Sequence, residues 1–160
     1  MNNGKIFEEE IKKSMPSWCY YYRLKDGTAA YGGNNKVRFQ AKNICDCIVV
    51  GQDFTYFLEL KSTNQKSLPL INIKDNQLKG LTAIKHPKIK SYFIICFRKY
   101  EKCFSLSANK VLEAATSGEK SISMQFCYEN GIEIDMLKIK VRYKYNLDNI
   151  LRWLWKLTKN

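Results

Sequence analysis

Asp46, Glu59 and Lys61 are the residues of this 160-residue chain whose types and spacing are best suited to chemistry. Side chains alternate along a strand, so Glu59 and Lys61 project from one face of the segment YFLELKST while Leu58 and Leu60 project from the other. Asp46 lies in the preceding segment, ICDCIVV. A hairpin between the two segments would bring two carboxylates and an amine into one small site.

Two carboxylates that lie this close repel unless a divalent cation sits between them, and hard oxygen ligands suit Mg²⁺, with Mn²⁺ as a plausible substitute. Such a cation assists phosphodiester hydrolysis because it activates water and neutralises charge on the phosphate. Lys61 would position or deprotonate the attacking water, or stabilise the phosphate charge. The sequence leaves these roles open.

A structural alternative uses the same three residues. Asp46 would form an ordinary ion pair with Lys61, and Glu59 would lie at a solvated edge of the sheet. The surroundings of Asp46 disfavour this alternative, because an acid within so apolar a strand is costly unless it has a partner or a cation. The sequence therefore favours a metal site.

The charge balance indicates a polyanionic partner. Twenty-seven Lys and Arg residues against 15 Asp and Glu residues give a formal net charge of +12, which favours nucleic acid because neutralised phosphates release counterions. No run of about 18 apolar residues is present, and the N-terminal MNNGKIFEEE has no signal-peptide core. These features predict a cytoplasmic protein without a membrane partner.

The cysteines and the single histidine offer little alternative chemistry. The six cysteines include no CxxC pair, and most lie in apolar runs, which favours reduced core thiols over zinc ligands. His86 precedes Pro87 and is better explained as a cap at a helix end than as the base of a nucleophilic site.

The hydrophobic patterns predict an alternation of helices and strands. Helices are expected over residues 4–14, 74–85, 107–115 and 147–157. Strands are expected over residues 18–24, 44–50, 54–61, 91–98 and 102–106, with strand or hairpin material over 121–145 around residues 129–131. The run over 91–98 is almost entirely apolar, as in a central strand buried on both faces. This order indicates one α/β domain over residues 1–160, with a mixed central sheet flanked by helices.

Five segments in a fixed order resemble a known family. The segments are GKIFEEEIKKS, ICDCIVV, YFLELKST, LPLINIKDNQLKGL and SYFIICF. Together they resemble the RecU-type Holliday-junction resolvases of the PD-(D/E)xK nuclease superfamily, over residues 4 to about 106. The later segment YNLDNIL is similar to the closing helix of that family. The resemblance implies a restriction-endonuclease-like core and a metal-dependent nuclease active on branched DNA.

The resemblance also implies roles for individual residues. Asp46 and Glu59 would be metal-binding carboxylates, and Lys61 would be the catalytic lysine. Gln77 would order the attacking water or a neighbouring phosphate, although a surface amide is a plain alternative. Glu8 would complete the metal site, with an ion pair to Lys12 as its structural alternative and an offset to the adjoining Glu9 or Glu10 still open.

A basic loop over residues 27–43 is a candidate DNA contact. Lys36, Arg38 and Lys42 would bind phosphates there, and Lys66 and Lys74 would extend the same surface beside the site. The alternative is that these cations are only solvated. The protruding stalk of the resolvases would fall on this short loop, so the preference for four-way junctions over other branched DNA stays open.

Three functions follow from these patterns. The first is a Mg²⁺-dependent endonuclease that resolves Holliday junctions as a homodimer, since a two-fold protein presents two equivalent sites to a four-way junction. The second is another PD-(D/E)xK endonuclease, of restriction or flap-cutting type. The third is a non-catalytic protein that binds branched DNA on this fold.

Overall fold

A mixed β-sheet with helices on both faces organises the computed structural model, which describes residues 3–25, 42–148 and 150–152. The strands are β1 (Tyr20–Arg23), β2 (Cys47–Val50), β3 (Thr55–Thr63), β4 (Ser67–Pro69), β5 (Ile89–Phe97), β6 (Lys102–Ser107), β7 (Ser121–Ser123), β8 (Ile132–Glu133), β9 (Met136–Ile139) and β10 (Arg142–Tyr145). The helices are α1 (Asn3–Ser14), α2 (Asp75–Ala83), α3 (Ala108–Thr116) and α4 (Met124–Asn130). Short 3-10 turns cover Leu70–Asn72 and Arg98–Tyr100, and residues 147, 148 and 150–152 are helical.

Within the described residues, the main sheet has six strands in the order β1-β2-β3-β5-β6-β8. β3 and β5 run parallel, and every other neighbouring pair is antiparallel. The predicted hairpin is confirmed as β2 and β3, and the predicted central strand is confirmed as β5, which lies between β3 and β6. Two smaller sheets pair β4 with β7 and β9 with β10.

Each face of the sheet carries its own hydrophobic core. On one face, Phe7 and Ile11 of α1 pack with Leu58 and with Ile150 near the C-terminus. On the other face, Leu81 of α2, Val111 of α3 and Cys127 of α4 pack against Phe93 and its neighbours. Helix periodicity places the apolar side chains of α1 and α3 on the side toward the sheet. The predicted α/β class, with a mixed sheet flanked by helices, is confirmed.

The prediction for residues 121–145 is partly wrong. Residues 124–130 form helix α4, where strand or hairpin structure was expected around 129–131. Ser123 caps this helix, since its hydroxyl accepts the backbone N–H of Phe126 at 3.0 Å. Gly131 ends the helix where a Cβ atom would lie 2.9 Å from the Ser105 carbonyl oxygen. The aromatic run is compatible with a strand, but capping and the burial of Cys127 against the sheet select a helix.

Several smaller predictions have clear outcomes. All six cysteines are free thiols, and five are buried. His86 lies in the loop after α2, whose C-cap is Ile84, so the predicted cap role is wrong; its Nδ1 accepts the backbone N–H of Lys88 at 3.2 Å within that loop. Among the described residues, no helix is both long and apolar enough to cross a membrane. Most of the predicted loop at 27–43, including Lys36 and Arg38, lies outside the described residues, as does the end of the predicted last helix.

Candidate active site

Glu59 is the buried centre of the candidate site. It lies in the middle of β3 and, by strand alternation, projects toward α2 while Leu58 and Leu60 project into the core beneath α1. Its side chain is only 1% exposed, so the alternative that placed Glu59 at a solvated edge is wrong. Its Oε1 atom is 2.9 Å from Lys61 Nζ and 2.6 Å from Gln77 Nε2.

Lys61 and Gln77 form a clamp on that carboxylate. Lys61 Nζ also donates to Gln77 Oε1 at 3.1 Å, so the three side chains contact each other pairwise. Gln77 is buried in the first turn of α2, which disfavours the surface-amide alternative. Its Oε1 accepts the backbone N–H of Lys74 at 3.2 Å, in the manner of a capping box. The start of α2 therefore fixes the amide that orients Glu59 and Lys61.

Asp46 enters the site from the neighbouring strand. β2 begins at Cys47, one residue after Asp46, so the prediction that Asp46 lies within the strand is wrong by that residue. Regular pairing with β3 begins only at Cys47, because the N–H of Leu60 in β3 donates to the Asp46 side chain instead of to a backbone carbonyl of the neighbouring strand. The distance from Leu60 N to Asp46 Oδ2 is 2.7 Å. The Asp46 N–H still donates to the Leu58 carbonyl oxygen at 3.1 Å. This position brings its charge close enough to influence Glu59.

The electrostatics of the site disfavour the charged form of Glu59 when no cation is present. Burial raises the pKa of Glu59 from 4.5 to about 7, and the negative charge of Asp46 adds to the increase. Lys61, and more weakly Lys74, act in the opposite direction. Glu59 Oε2 is buried and has no hydrogen-bond partner in the described part of the chain. A buried carboxylate oxygen without a partner is costly, which points to a missing ligand.

The donor set fits a hard divalent cation. Asp46 and Glu59 supply carboxylate oxygens, which Mg²⁺ and Mn²⁺ prefer, and Glu59 Oε2 is available. A cation would also relieve the repulsion between the two carboxylates. Within residues 3–25, 42–148 and 150–152, no group of three His, Cys, Asp or Glu side chains is placed to hold a metal ion. Mg²⁺ commonly uses one or two carboxylates and fills its remaining positions with water and substrate phosphate.

Glu8 is not brought into this cluster. Its Oε2 atom forms an ion pair with Arg23 Nε at 2.7 Å, so α1 is linked to β1. The expected partner in the structural alternative was Lys12, and no pattern in the sequence indicated that Arg23 would approach Glu8. In β1, Arg23 pairs with Cys47 of β2, the residue that follows Asp46. The role of Glu8 as a third metal ligand stays a prediction.

The neighbouring Glu10 belongs to a different network. It is 3% exposed, and Arg98 donates to both of its carboxylate oxygens at 2.8 and 3.1 Å. The backbone N–H of Tyr143 and the hydroxyl of Tyr145 donate to it at 3.2 Å each. These bonds fix Glu10 on the α1 face of the sheet, so an offset that replaces Glu8 with Glu10 is disfavoured.

Three of the predicted DNA contacts lie in the described part of the chain. Lys42, Lys66 and Lys74 are exposed. Lys74 immediately precedes α2, and its charge influences Glu59. Lys66 lies in the turn between β3 and β4. It therefore follows the end of β3 near which Lys61 lies. Their positions agree with a basic surface beside the site, and their contact with DNA stays a prediction.

Comparison with known proteins identifies the family. The model of the family described as Recombination protein U (RecU) matches residues 11–149. The SPbeta prophage-derived uncharacterized protein YotM of Bacillus subtilis (strain 168) is 31% identical over 167 residues, covering 93% of this chain and 85% of that protein. The Holliday junction resolvase RecU of Mycoplasmopsis pulmonis (strain UAB CTIP) is 29% identical over 143 residues, covering 84% of this chain and 86% of that protein.

A solved structure shares the fold. Hjc, a Holliday junction resolvase from the archaeal hyperthermophile Archaeoglobus fulgidus, superposes with a TM-score of 0.52 at 16% sequence identity, covering 81% of this chain and 95% of that chain. At this identity the likeness shows the fold alone, and it agrees with the restriction-endonuclease-like core expected from the sequence. Because the family model spans the chain from the last turn of α1 to the helical residues after β10, this protein belongs to the Recombination protein U family.

Proposed function

We propose that this protein is a Mg²⁺-dependent endonuclease that resolves Holliday junctions, the four-way intermediates of DNA recombination and repair. Membership of the Recombination protein U family and the name of the Mycoplasmopsis relative support the substrate class. The observation that carries the catalytic assignment is the buried Glu59 carboxylate with an unpartnered oxygen beside Asp46. A protein that only binds DNA would gain nothing from two acids placed to face phosphate.

Asp46 and Glu59 are the residues that would hold the cation, with Mn²⁺ as a substitute for Mg²⁺. When bound, the cation would supply Lewis acidity toward the phosphate and toward water. Glu59 is suited to this role because Gln77 and Lys61 fix its Oε1 atom and leave Oε2 available. Asp46 is held by the Leu60 N–H, and its charge acts on Glu59.

Lys61 and Gln77 would act on the substrate directly. The Lys61 side chain is 15% exposed, and its Nζ is held by Glu59 and Gln77, so a small movement would let its charge reach a phosphate. In this position it would stabilise the negative charge that develops on the phosphoryl oxygens, or accept a proton from the attacking water if its own proton is first lost. Gln77 fixes the position of the Lys61 amino group through its Oε1 atom. Its amide nitrogen, which donates to Glu59, would donate instead to a water or a phosphate oxygen when substrate binds.

The same proposal includes the partners and the location. A homodimer would present two equivalent sites to the two strands that a junction resolvase must cut. Lys42, Lys66 and Lys74 would contact phosphates beside the site, and Lys36 and Arg38 would do so from the loop over 27–43. We place the enzyme in the cytoplasm, where its DNA substrate lies and where free thiols are the usual state of cysteine.

Cleavage of a synthetic four-way junction tests this proposal. Purified protein in Mg²⁺ is incubated with the junction and with a linear duplex of matched sequence, beside the Glu59→Gln variant. Glu119→Gln is the matched control, because it removes the same charge from an exposed site after α3. We expect paired nicks in the junction with wild type and Glu119→Gln, and none with Glu59→Gln.

The other outcomes separate the alternatives. Equal cutting of the linear duplex would indicate a restriction-type or general nuclease. Binding of the junction without cutting, unchanged by Glu59→Gln, would contradict the catalytic assignment and leave a branched-DNA-binding protein.

A further inference from the structure

The β9–β10 hairpin combines basic and apolar side chains on an exposed surface. Its ten residues, Met136 to Tyr145, include four cations and no acid. The cations are Lys138, Lys140, Arg142 and Lys144. Leu137, Ile139 and Val141 alternate with these residues and are 64%, 50% and 82% exposed. A soluble protein rarely leaves three large apolar side chains on one short hairpin without a use for them.

Strand register divides this surface into two faces. Leu137 pairs with Lys144, and Ile139 pairs with Arg142, so these four side chains share the outer face of the hairpin. Lys140 lies at the tip with a positive φ of 57° and is exposed. Lys140 and Lys144 form no ion pair within the described residues, whereas Lys138 on the inner face pairs with Glu101 at 2.8 Å.

The inner face anchors the hairpin to the body of the protein. Tyr143 donates its backbone N–H to Glu10 and its hydroxyl to Glu101, the latter at 3.0 Å. Tyr145 donates its backbone N–H to Ser14 Oγ at 3.0 Å, and its ring packs against Phe7. The hairpin is therefore held on α1 before any partner binds, and binding would cost little conformational entropy.

The hairpin is anchored near the C-terminal ends of β3 and β5, and Lys61 of the candidate active site is near the same end of β3. β3 and β5 run parallel, with Lys61 opposite Ile95 and Thr63 opposite Phe97. Arg98, which binds Glu10, directly follows Phe97, so the hairpin is attached where β3 and β5 end. Lys61 belongs to the last three residues of β3. The hairpin lies on the α1 face and the Glu59 cluster on the α2 face, and both are near this end of β3 and β5.

We infer that the outer face of the β9–β10 hairpin is a second DNA-binding surface, which holds one arm of the substrate beside the active site. Lys140, Arg142 and Lys144 bind phosphates, and Leu137, Ile139 and Val141 pack on sugars or base edges. A two-stranded ribbon fits a DNA groove, and apolar side chains among cations are common where proteins contact distorted DNA. The inference rests on the proposed function for its substrate, and it adds a surface apart from the catalytic cluster.

Binding measured without divalent cations tests this surface separately from catalysis. The hairpin variant is Lys140→Gln/Arg142→Gln/Lys144→Gln. The matched control is Lys85→Gln/Lys88→Gln/Lys110→Gln, which removes the charges of the exposed Lys85 and Lys88 and of the half-buried Lys110. These residues lie near the start of β5 and the end of β6, at the opposite end of these strands. Dissociation constants for a four-way junction and a linear duplex are measured in EDTA over a series of salt concentrations, with thermal melts to verify folding.

We expect the hairpin variant to bind DNA about tenfold or more weakly and its salt slope to fall by about 2 to 3, because each lost phosphate contact removes about 0.9 from the slope. The control variant should retain most of the affinity. A Leu137→Ser/Ile139→Ser variant should weaken binding while leaving the salt slope unchanged, since it removes contacts that release no counterions.

Three results would overturn the inference. The hairpin variant could lose no more affinity than the control. Wild type could bind no DNA at all. Leu137→Ser/Ile139→Ser could change the sedimentation mass while DNA binding by the charge variant stays normal, which would make the surface an interface between copies of this chain. If wild type binds DNA through the hairpin but cuts nothing, the proposed catalytic function fails and the hairpin inference stands.

Discussion

Glu10 and Glu59 are two buried glutamates on opposite faces of one sheet, and they have opposite surroundings. Glu10 receives four hydrogen bonds, two of them from the guanidinium group of Arg98. Glu59 shares one oxygen between Lys61 and Gln77, and its other oxygen has no partner in the described part of the chain. Complete pairing is typical of a structural ion pair, and incomplete pairing of a site that awaits a ligand.

The two carboxyl groups also differ in their electrostatic environment. Arg98 and Glu10 stabilise each other's charges, and the hydrogen bond to Glu10 raises the pKa of Arg98. At Glu59, desolvation and the nearby charge of Asp46 outweigh Lys61, and the pKa rises to about 7. Burial alone therefore does not mark a functional glutamate. Two features distinguish Glu59: its Oε2 atom has no hydrogen-bond partner among the described residues, and its surroundings disfavour the charged carboxylate.

Glu59→Gln should have the largest effect, and the effect should be on catalysis. The substitution keeps the shape of the side chain but removes a metal-binding charge, so we expect junction cleavage to fall about 1,000-fold or more, equivalent to about 4 kcal/mol of activation free energy. The melting temperature of the metal-free protein should stay the same or rise, because a costly buried charge is gone. Single-turnover cleavage and thermal melts measure the two effects. A drop in melting temperature with activity retained would contradict the assignment.

Glu10→Gln should show the reverse pattern. It leaves the buried Arg98 guanidinium without its counter-charge, and we expect the free energy of unfolding to fall by about 3 kcal/mol. Cleavage per folded molecule should be unchanged. Urea denaturation of Glu10→Gln, Arg98→Met and the double variant forms a cycle in which the second substitution should cost much less than the first. Additive losses would mean that the pair is not an energetic unit.

The stability of the metal-free protein should decrease as the pH rises. Folded Glu59 keeps its proton up to about pH 7, whereas an unfolded glutamate loses it near pH 4.5. The folded state therefore binds more protons between these values, and raising the pH through this range destabilises it by about 2 kcal/mol from pH 5 to pH 7.5. Thermal melts in EDTA across this range measure the slope, and Glu59→Gln should abolish the Glu59 contribution. An identical slope in wild type and variant would exclude Glu59 as its source.

Metal binding should reverse that pH trend. Ca²⁺ or Mn²⁺ must displace the proton from Glu59, so either ion should raise the melting temperature more at pH 8 than at pH 6. The effect should be lost in Asp46→Asn. A stabilisation that persists in Asp46→Asn would place the ion at another site.

Glu8→Gln should have the smallest effect and would complete the comparison among the acids of α1. If Glu8 joins the site when substrate binds, cleavage should fall about tenfold, while stability changes by less than about 1 kcal/mol because its pair with Arg23 is solvent-accessible. Arg23→Gln is the matched control, since it breaks the same ion pair and keeps the carboxylate. Equal loss of activity in both variants would assign the effect to the ion pair.

Much of the fold can be predicted from local hydrophobic patterns and turn residues in the sequence. The apolar run over residues 91–98 predicts a central strand, and β5 occupies that place. The glycine turn between two apolar segments predicts the β2–β3 hairpin. Residues 124–130 escaped prediction because their aromatic side chains suit a strand equally well, and only the cap at Ser123 and packing against the sheet favour α4.

The sequence by itself determined that Asp46, Glu59 and Lys61 converge on the candidate site. A period of two places Glu59 and Lys61 on one face, and a short turn brings Asp46 beside them. Only the tertiary structure decided how each acid is used, because that depends on partners far away in the chain. Arg98 and Tyr145 satisfy Glu10 from 88 and 135 residues away, whereas no described residue satisfies Glu59 Oε2. Local periodicity fixes the direction of a side chain, and long-range packing fixes its hydrogen bonds and its charge.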